Sequence, residues 1–460
     1  MEGRGWQQLH CAKKGYSRQE LSKSDNRTAQ DKRDCKQERK STKSGPPHRR
    51  SEASLKQIHQ RMDGKKAKGI DKVSKAEYAE NLNENIGRLV LRMKRQAYQP
   101  QPSRRVYIDK PGSSKKRPLG ISCYEDKLVE NRVAEILSAI YEPKFHEFSY
   151  GFRPGKNCHQ AVKKLIGCIR KNVSYVVEAD IRSFFDTIDH EWMIRFLEHD
   201  IADRKFIDLI RKMLKADVLD GGKVLEHEVG SPQGSASSPT YANIYLHYVL
   251  DTWFAIKVKS ECRGDAYIIR YCDDFVCCFQ YKEDAEKFYQ ELPIRFAKFG
   301  LELANEKTCL LEFGRFAVKN RATRGEGKPE TFDFLGFTFY CSMDTKKRFF
   351  RVKVKSCRKK TTAKLRMLNL WLKEHRDWAV KDIIYRVNQF LLGHYHYYGV
   401  TDNFKGIAVF QFMVVNLLFK WLNRRSQRKS YTWDAFRDGL MKTFPIVKPK
   451  IYVNLIANYS

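Results

Sequence analysis

The chain has 460 residues, of which 42% are hydrophobic and 13% aromatic, enough apolar material to bury a sizeable core. Its 87 Lys and Arg outnumber 54 Asp and Glu, and the net charge of +33 favours a polyanionic partner, either nucleic acid or an anionic membrane surface. The most apolar stretch, residues 407–419, is too short for a membrane span, and residues 1–20 lack the apolar core of a signal peptide. The twelve cysteines are scattered along the chain, which favours reduced thiols. We therefore expect a soluble cytoplasmic protein.

The N-terminal hundred residues divide near residue 50. Residues 1–50 hold 14 Lys and Arg and few aliphatic side chains, which predicts a mobile basic extension; an arm that folds on RNA is the alternative. Residues 51–98 place apolar side chains at helical spacing and predict helices. A strand over 104–108, a turn over 111–114 and a second short strand follow.

Helices and strands are mixed along the rest of the chain. The patterns predict helices over 125–141, 157–170 and 284–299, an apolar strand over 175–181, two strand arms within 267–279, β structure over 331–354, and basic helices from 356 to about 425. This order predicts the α+β class, with a mixed catalytic core followed by a helical module.

Two acidic sites end apolar strands in this basic chain. Asp180 closes one strand, and Asp273 and Asp274 lie between the two arms of the next pair. Unpaired carboxylates in such places are costly, but they become stable together if they share divalent cations, and oxygen ligands suit Mg²⁺. Two such ions would serve an in-line phosphoryl transfer. The alternative is turn or capping aspartates in salt bridges with Lys and Arg.

Six sequence blocks contain or surround these aspartates. One is Tyr271-Cys-Asp-Asp274, and the other five are Ser149-Tyr-Gly-Phe-Arg-Pro-Gly155, Asp180–His190, Gly230–Pro239, Leu303–Thr308 and Phe334-Leu-Gly-Phe337. The first is similar to the Tyr-x-Asp-Asp signature of reverse transcriptases, and all six resemble, in order, the blocks of bacterial group II intron reverse transcriptases. The resemblance covers about residues 60–455.

The resemblance implies a right-hand polymerase of the compact type without an endonuclease domain. Fingers and palm, with an antiparallel sheet, are expected over 51–344, an α-helical thumb (maturase domain X) over 345–410, and a short DNA-binding region over 411–460. It also implies that Asp180, Asp273 and Asp274 are catalytic and bind two Mg²⁺ ions, with Mn²⁺ as a possible substitute. The backbone carbonyl of Ile181 would complete a metal site.

Four residues are implied to contact the incoming nucleotide. By motif position Lys110 and Arg117 would grip the triphosphate, Gln233 would lie against the nucleotide, and Phe185 would lie under the sugar and exclude a 2′-hydroxyl. Apart from the family, a solvated basic turn and a core phenylalanine are the preferred interpretations of Lys110, Arg117 and Phe185.

Four further residues match blocks that support the primer and template, namely Asn305, Lys307, Leu335 and Gly336. The chain departs from the family at Cys272, where Ala is usual, and at Ser235, where many members have Gly. We expect the first to be tolerated and the second to affect fidelity and processivity. Residues 346–366 hold 11 Lys and Arg and no acid. We expect backbone phosphate contacts from Arg351, Lys353, Lys355, Arg358, Lys359 and Lys360, with a solvated face as the alternative.

The sequence therefore predicts an RNA-directed DNA polymerase of the group II intron type with maturase activity in splicing and mobility. Its expected partners are structured intron RNA, an RNA template with a DNA or RNA primer, target DNA and dNTPs, without a membrane, in the bacterial cytoplasm. Two alternatives stay open: a domesticated relative in phage defence or DNA repair, and a splicing-only RNA-binding maturase. The sequence leaves the oligomeric state open.

Overall fold

The computed structural model describes residues 47–109, 116–221, 223–225, 230, 234–344, 349–425 and 430–456. The predicted extension over 1–50 lies almost wholly outside these residues. The chain divides into two compact units. Of the described residues, the larger unit comprises 54–367, 400–406 and 453–456, and the smaller comprises 47–53, 368–399 and 407–452.

Helices form most of the described chain. In chain order they are α1 (Pro47–Arg61), α2 (Lys75–Ala79), α3 (Leu82–Lys94), α4 (Tyr124–Tyr141), α5 (Cys158–Ile169), α6 (Phe184–Thr187), α7 (His190–Asp200), α8 (Arg204–Leu214), α9 (Ser238–Leu246), α10 (Lys259–Glu261), α11 (Lys282–Ala297), α12 (Ala317–Thr323), α13 (Arg358–Glu374), α14 (Val380–Tyr398), α15 (Phe404–Leu422) and α16 (Met441–Thr443). Between α9 and α10 the chain contains two π-helical segments, His247–Asp251 and Phe254–Val258. The predicted helical region 51–98 is thus three separate helices.

Side chains at the helix starts explain several of these boundaries. Asn157 accepts a hydrogen bond from the backbone of Gln160, whose side chain bonds back to Asn157, and this capping box starts α5. The carboxylates of Asp189 and Asp203 accept backbone N–H groups at the starts of α7 and α8. These three helices therefore begin at residues whose side chains satisfy the first free N–H groups.

Eleven described strands form three sheets. The strands are β1 (Ser103–Asp109), β2 (Lys116–Ile121), β3 (Tyr175–Ala179), β4 (Val218–Asp220), β5 (Lys223–Leu225), β6 (Ala266–Tyr271), β7 (Asp274–Phe279), β8 (Cys309–Glu312), β9 (Phe332–Phe334), β10 (Phe337–Met343) and β11 (Phe350–Ser356). The central sheet has the order β6-β7-β3-β8 and is antiparallel throughout. A second sheet has the order β2-β1-β4-β5, in which β1 and β4 are parallel, and the third is the antiparallel sheet β11-β10-β9. The chain is a mixed α+β protein.

The central sheet is the buried centre of the larger unit. Val176, Val177, Cys277 and Cys278 are 0% exposed, and helices α5 and α11 pack on the strands. Burying apolar strand residues on both faces accounts for the nearly continuous apolar composition of β3 and β7. The ten cysteines among the described residues are free thiols, as the sequence predicted; Cys272, Cys277 and Cys278 are buried, whereas Cys262 is only partly buried.

The described part of the basic stretch over residues 346–366 is a strand followed by a helix, as the sequence patterns predicted, although the resemblance implied a helical thumb from residue 345. Residues Phe350–Ser356 form β11, and the helix starts only at Arg358. Val352 and Val354 are buried while Arg351, Lys353 and Lys355 occupy the alternate positions, because successive side chains in a strand point to opposite faces. The alternation of apolar and basic side chains in this segment therefore explains why it forms a strand.

Aromatic side chains line the smaller unit. The ring of His394 stacks on Phe410 with the ring centroids 3.6 Å apart, and Phe390 stacks on the same ring. His394 thus serves as a packing residue between α14 and α15.

Helix α15 has 19 residues, more than the 13 residues of the apolar stretch identified in the sequence, and by length and composition alone it suffices to cross a bilayer. One third of that helix is buried, and the buried helices of water-soluble proteins also meet this criterion.

Candidate active site

The central sheet brings two of the predicted catalytic aspartates side by side. Strand β3 ends at Ala179, which pairs with Phe275 of β7. Continuing this antiparallel register by one residue sets Asp180 opposite Asp274, the first residue of β7. Residues separated by 94 positions in the chain thereby meet at one end of the sheet, as the apolar strand patterns predicted.

Asp273 belongs to the tight turn between β6 and β7. Tyr271 pairs with Asp274, so Cys272 and Asp273 form a two-residue connection. Cys272 has a φ of +60°, a left-handed conformation that a non-glycine residue seldom adopts. Its thiol lies against Gly151, where an added Cβ would come within 2.3 Å of Cys272 Sγ and 2.4 Å of its backbone nitrogen. Cys272, which stands where the family usually has Ala, is accommodated because Gly151 has no side chain and leaves room for the thiol.

Burial and mutual repulsion disfavour ionisation of these carboxyl groups. Burial raises the pKa of Asp274 to about 8, and the charges of Asp180, Asp273 and Glu178 add to the shift. The pKa of Asp273 is also raised by burial and by Asp180, while the positive charges of Arg117 and Lys307 oppose the shift. Such carboxylates gain most from a nearby cation.

A lysine supplies one positive charge at this cluster. Lys307 Nζ donates a hydrogen bond to Oδ2 of Asp180, and this bond raises the pKa of the ammonium group. Lys307 lies on a single helical turn, Asn305–Lys307, immediately before β8, the strand that pairs with β3. Asn305 is exposed on the same turn. Of the two residues on this turn that were predicted to support the site, Lys307 therefore contacts a predicted catalytic aspartate directly.

Ile181 continues the chain beyond Asp180 and forms an isolated antiparallel bridge with Leu303. The backbone carbonyl of Asp180 accepts the N–H of Ala304 at 2.8 Å, and the N–H of Arg182 donates to Glu302 at 2.8 Å. The segment carrying Asp180 and Ile181 is therefore held in an extended conformation against the chain before β8, although it lies beyond the end of β3.

The turn predicted to contact the primer also reaches the aspartates. Leu335 and Gly336 connect β9 to β10 with φ of +49° and +75°, the pattern of a type I′ hairpin turn. The N–H of Leu335 donates to the carboxylate of Asp274. A fourth carboxyl group, Glu178, lies on the same face of β3 as Asp180, and burial raises its pKa to about 7.

The residues predicted to contact the nucleotide are only partly described. Lys110 and Gln233 lie outside the described residues. Arg117 is exposed on β2, opposite Ile108, and its charge acts on Asp273. Phe185 is half-buried, with its ring centroid 5.6 Å from that of the buried Phe184. The partial exposure of Phe185 distinguishes it from an ordinary core phenylalanine such as its neighbour.

Residues that follow Gln233 are held by a buried glutamate that the sequence did not single out. Glu130 of α4 accepts the N–H of Ala236 at 3.1 Å and the hydroxyl of Ser122 at 2.5 Å. Ser235, the departure from the family pattern, has its hydroxyl 3.0 Å from that of Ser237. A glycine at position 235 would lack this hydrogen bond.

The predicted phosphate-binding residues differ in availability. Arg351 is in an ion pair with Asp402 at 2.7 Å, and Lys355 lies over the ring of Tyr340. Lys353 is half-buried. The three consecutive residues at the start of α13 are exposed: Arg358, Lys359 and Lys360. These three have the greatest freedom to contact a nucleic-acid backbone.

Asp180, Asp273 and Asp274 supply the hard oxygen donors that Mg²⁺ prefers, and their repulsion is what a bound cation would relieve. In the part of the chain that the structure describes, no three His, Cys, Asp or Glu side chains form a ready-made metal cluster. The Asp180 carboxylate instead bonds Lys307. The donor chemistry fits a divalent cation, and the exchange of a lysine contact for a metal contact is the adjustment that binding requires.

Sequence comparisons agree with this arrangement. A family model described as reverse transcriptase (RNA-dependent DNA polymerase) matches residues 108–339. The chain is 28% identical to the group II intron-encoded protein LtrA of Lactococcus lactis subsp. cremoris, over 77% of this chain and 70% of that protein. It is 42% identical to a 91 kDa protein in the cob intron of Schizosaccharomyces pombe, over 38% of this chain and 21% of that protein. It is 34% identical to protein YkfC of Escherichia coli, over 39% of this chain and 54% of that protein.

Proposed function

Since the chain belongs to the reverse transcriptase family, the RNA-directed DNA polymerases, and is of the group II intron type, we propose a two-metal mechanism at its three aspartates. The 3′-hydroxyl oxygen of a primer attacks the α-phosphorus of a dNTP. A new phosphodiester bond forms, the bond from the α-phosphorus to the pyrophosphate oxygen breaks, and the hydroxyl proton passes to solvent. The juxtaposition of Asp180 and Asp274 on adjacent strands, with Asp273 in the turn, carries this proposal.

Each side chain has a stated part in the reaction. Asp180, Asp273 and Asp274 would hold two Mg²⁺ ions together with the carbonyl of Ile181. When bound, the ions stabilise charge on the attacking and leaving oxygens. Lys307 donates a hydrogen bond to Asp180 and thereby orients this carboxylate. Arg117, whose charge acts on Asp273, attracts the triphosphate of the nucleotide, together with Lys110.

A primer-extension assay tests the mechanism. We expect the protein to extend a DNA primer on an RNA template with Mg²⁺ and dNTPs, and Asp273→Ala to lower the rate at least about a thousandfold because a metal ligand is lost. Glu283→Gln is the matched control, since Glu283 is an exposed carboxylate on α11 of the same unit. Equal rates for wild type and Asp273→Ala would contradict the assignment, and so would an inactive wild type.

The same proposal extends to the arrangement of the polymerase and to its partners. Residues 51–344 form the fingers and palm, 345–410 the thumb and 411–460 the DNA-binding region, and the chain acts on structured intron RNA and target DNA in the bacterial cytoplasm. The names of similar proteins, which include group II intron-encoded and cob-intron proteins, support an intron substrate. The protein binds that RNA and assists its splicing as well as copying it.

Splicing and polymerisation can be separated experimentally. RNA that co-purifies with the expressed chain should contain intron sequence when it is sequenced. Asp273→Ala should still bind this RNA and promote its splicing, because the variant leaves the positively charged surface unchanged. Co-purification of unrelated RNAs only would contradict the maturase role, and wild-type splicing without any primer extension would favour a splicing-only protein.

A further inference from the structure

A fully buried arginine lies directly behind the catalytic turn. Arg270 is the penultimate residue of β6, and its side chain is 0% exposed. Its Nε and Nη2 donate to the two carboxylate oxygens of Asp251 at 2.7 and 2.5 Å. Its Nη1 donates to Oδ1 of Asn243 at 3.1 Å and to the carbonyl oxygen of Cys272 at 3.0 Å. One guanidinium group therefore joins α9 and the π-helical segment that follows it to the turn that carries Asp273.

Stability alone is a weak reason for such a group. A buried ion pair loses hydration that its mutual attraction only partly returns, and apolar side chains of similar volume often serve a core equally well. The geometry of the pair is more informative. Asp251 closes the π-helical segment His247–Asp251, and such segments are frequent at functional sites. An arginine directs donors to several acceptors in one plane, whereas a lysine has no fork with which to bridge Asp251 and Cys272.

The bond to the Cys272 carbonyl determines which way the turn peptide faces. In a trans peptide the C=O and the N–H point in opposite directions. The C=O of Cys272 faces the buried Arg270, so the N–H of Asp273 faces away from it, and that N–H bonds to the Asp273 carboxylate. Because Cys272 has the sparsely populated φ of +60°, the turn requires contacts from outside the hairpin to keep this peptide orientation.

A second arm of the network reaches the segment that packs on the turn. Asn243 Nδ2 donates to the carbonyl of Gly151 at 2.8 Å, and Gly151 lies against Cys272. The backbone N–H and C=O of Arg270 bond to Phe148 and Tyr150 at 2.9 Å each. Arg270 thus holds the turn in two ways, through the bonds of its guanidinium group and through its backbone bonds to the segment over residues 148–151.

We propose that Arg270 is a positioning residue of the polymerase site, which holds the Cys272–Asp273 peptide in the orientation that places Asp273 beside Asp180 and Asp274. This inference rests on the proposed two-metal function and deepens it. Asp251 anchors the guanidinium, and Asn243 shares its Nη1. None of the three side chains touches a substrate, so their effect passes through the geometry of the turn.

The experiment compares Arg270→Lys with Arg153→Lys. Arg153 is a matched control because it is also buried, forms bonds of 2.8 and 3.0 Å to Glu142, and donates to the carbonyls of His146 and Ser149. For each variant we would measure melting temperature, kcat and KM for dNTP in primer extension, and binding of Mn²⁺ by its electron paramagnetic resonance signal. Asn243→Ala is a second variant that keeps the Arg270–Asp251 ion pair, should Arg270→Lys fail to fold.

We expect Arg270→Lys to lower kcat about 30-fold or more, with KM for dNTP changed less than threefold, and to weaken Mn²⁺ binding about fivefold or more. Asn243→Ala should show the same pattern at smaller magnitude. Arg153→Lys should lower the melting temperature comparably with kcat reduced less than threefold. Equal kcat losses in Arg270→Lys and Arg153→Lys, or unchanged Mn²⁺ binding in Arg270→Lys, would overturn the proposal. An inactive wild type would contradict the proposed function alone, because Mn²⁺ binding still decides the positioning role.

Discussion

The setting of Asp274 disfavours its ionisation, because the group is buried and Asp180, Asp273 and Glu178 are close by. Lys307 relieves part of this repulsion through Asp180. At the scale of the single residue, this carboxylate cluster therefore lowers the stability of the metal-free protein, and a divalent cation can relieve the repulsion. This loss of stability should be measurable by thermal unfolding, without any polymerase assay.

Removing the Asp274 charge should flatten the pH dependence of stability in the metal-free protein. Burial raises the pKa of Asp274 to about 8 in the folded chain, above the value of about 3.9 for an unfolded aspartate. The folded state then binds the extra proton, so the contribution of this group is complete at low pH and is lost as the pH rises towards about 8. We expect Asp274→Asn to lose less melting temperature than wild type between pH 5 and pH 9 in EDTA.

Glu283→Gln provides the control for that measurement, since Glu283 is exposed in α11 and its replacement should leave the wild-type slope unchanged. Parallel melting curves for wild type and Asp274→Asn across the whole pH range would show that the carboxyl group is not held in an unfavourable setting. Adding Mg²⁺ should raise the melting temperature of wild type more than that of Asp274→Asn.

Phe185 offers a residue-scale test of sugar discrimination. Its half-buried ring packs beside Phe184, which is 2% exposed. We expect Phe185→Ala to raise the efficiency of ribonucleotide incorporation relative to deoxynucleotides roughly 10- to 100-fold, because the ring no longer excludes a 2′-hydroxyl. Competitive primer extension with dNTP and rNTP measures the ratio. Phe184→Leu, which changes only the core, should keep the ratio while lowering stability; an unchanged ratio in Phe185→Ala would contradict the assignment.

At the scale of secondary-structure elements, helix α4 bonds the segment that follows Gln233, over residues 234–237. Glu130, whose pKa is raised by burial, bonds Ala236 across 106 residues of sequence. A small cavity beside this contact is lined by Tyr98, Asp126, Glu130 and Tyr241. Among the described residues, the carboxyl group of Glu130 therefore links the helix to the segment before α9.

Glu130→Ala should loosen that segment and raise KM for dNTP about fivefold, since the N–H of Ala236 loses its acceptor. Glu135→Ala is the matched control, because Glu135 lies on the same helix but is exposed and pairs with Arg61. Steady-state primer extension with varied dNTP measures both variants. Equal KM values for Glu130→Ala and wild type would show that the segment is positioned by other contacts.

Sequence patterns predicted the strands and the aspartates because both depend on local order. An apolar strand ended by a carboxylate is visible at Asp180, and two such arms frame Asp273. The partners of Arg270 and Glu130 depend on contacts between distant elements, and no periodicity indicates them. One signal was present, since a charged residue inside the apolar arm Tyr267-Ile-Ile-Arg-Tyr271 implies a buried partner. Lys110 and Gln233 stay predictions because they lie outside the described residues.

At the scale of the whole molecule, the net charge of +33 should make nucleic-acid binding strongly dependent on salt. Replacing Arg358, Lys359 and Lys360 by Gln should weaken template–primer binding equally for different sequences. The slope of log affinity against log salt should become shallower by roughly 2 to 3, because each phosphate contact releases about one counterion. Fluorescence anisotropy at several salt concentrations measures the slope.

A triple variant of equal charge change controls for the overall charge of the molecule. Lys282 and Lys287 are exposed on α11, and Lys298 is exposed directly after it. Their replacement by Gln should change the slope by less than half as much. Equal slopes for the two triple variants would show that net charge alone, without a defined contact surface, governs binding.

The contact between Gly151 and Cys272 has a consequence for how this family can drift over evolutionary time. Position 272 has room for a small side chain, so exchanges among Ala, Ser and Cys should occur there among descendants. Position 151 faces the backbone nitrogen of residue 272 at a distance that admits no Cβ, and no compensating change at 272 can restore the space. Within this pair, the position with room to vary lies inside the Tyr-x-Asp-Asp signature, whereas the position expected to stay glycine lies 121 residues upstream.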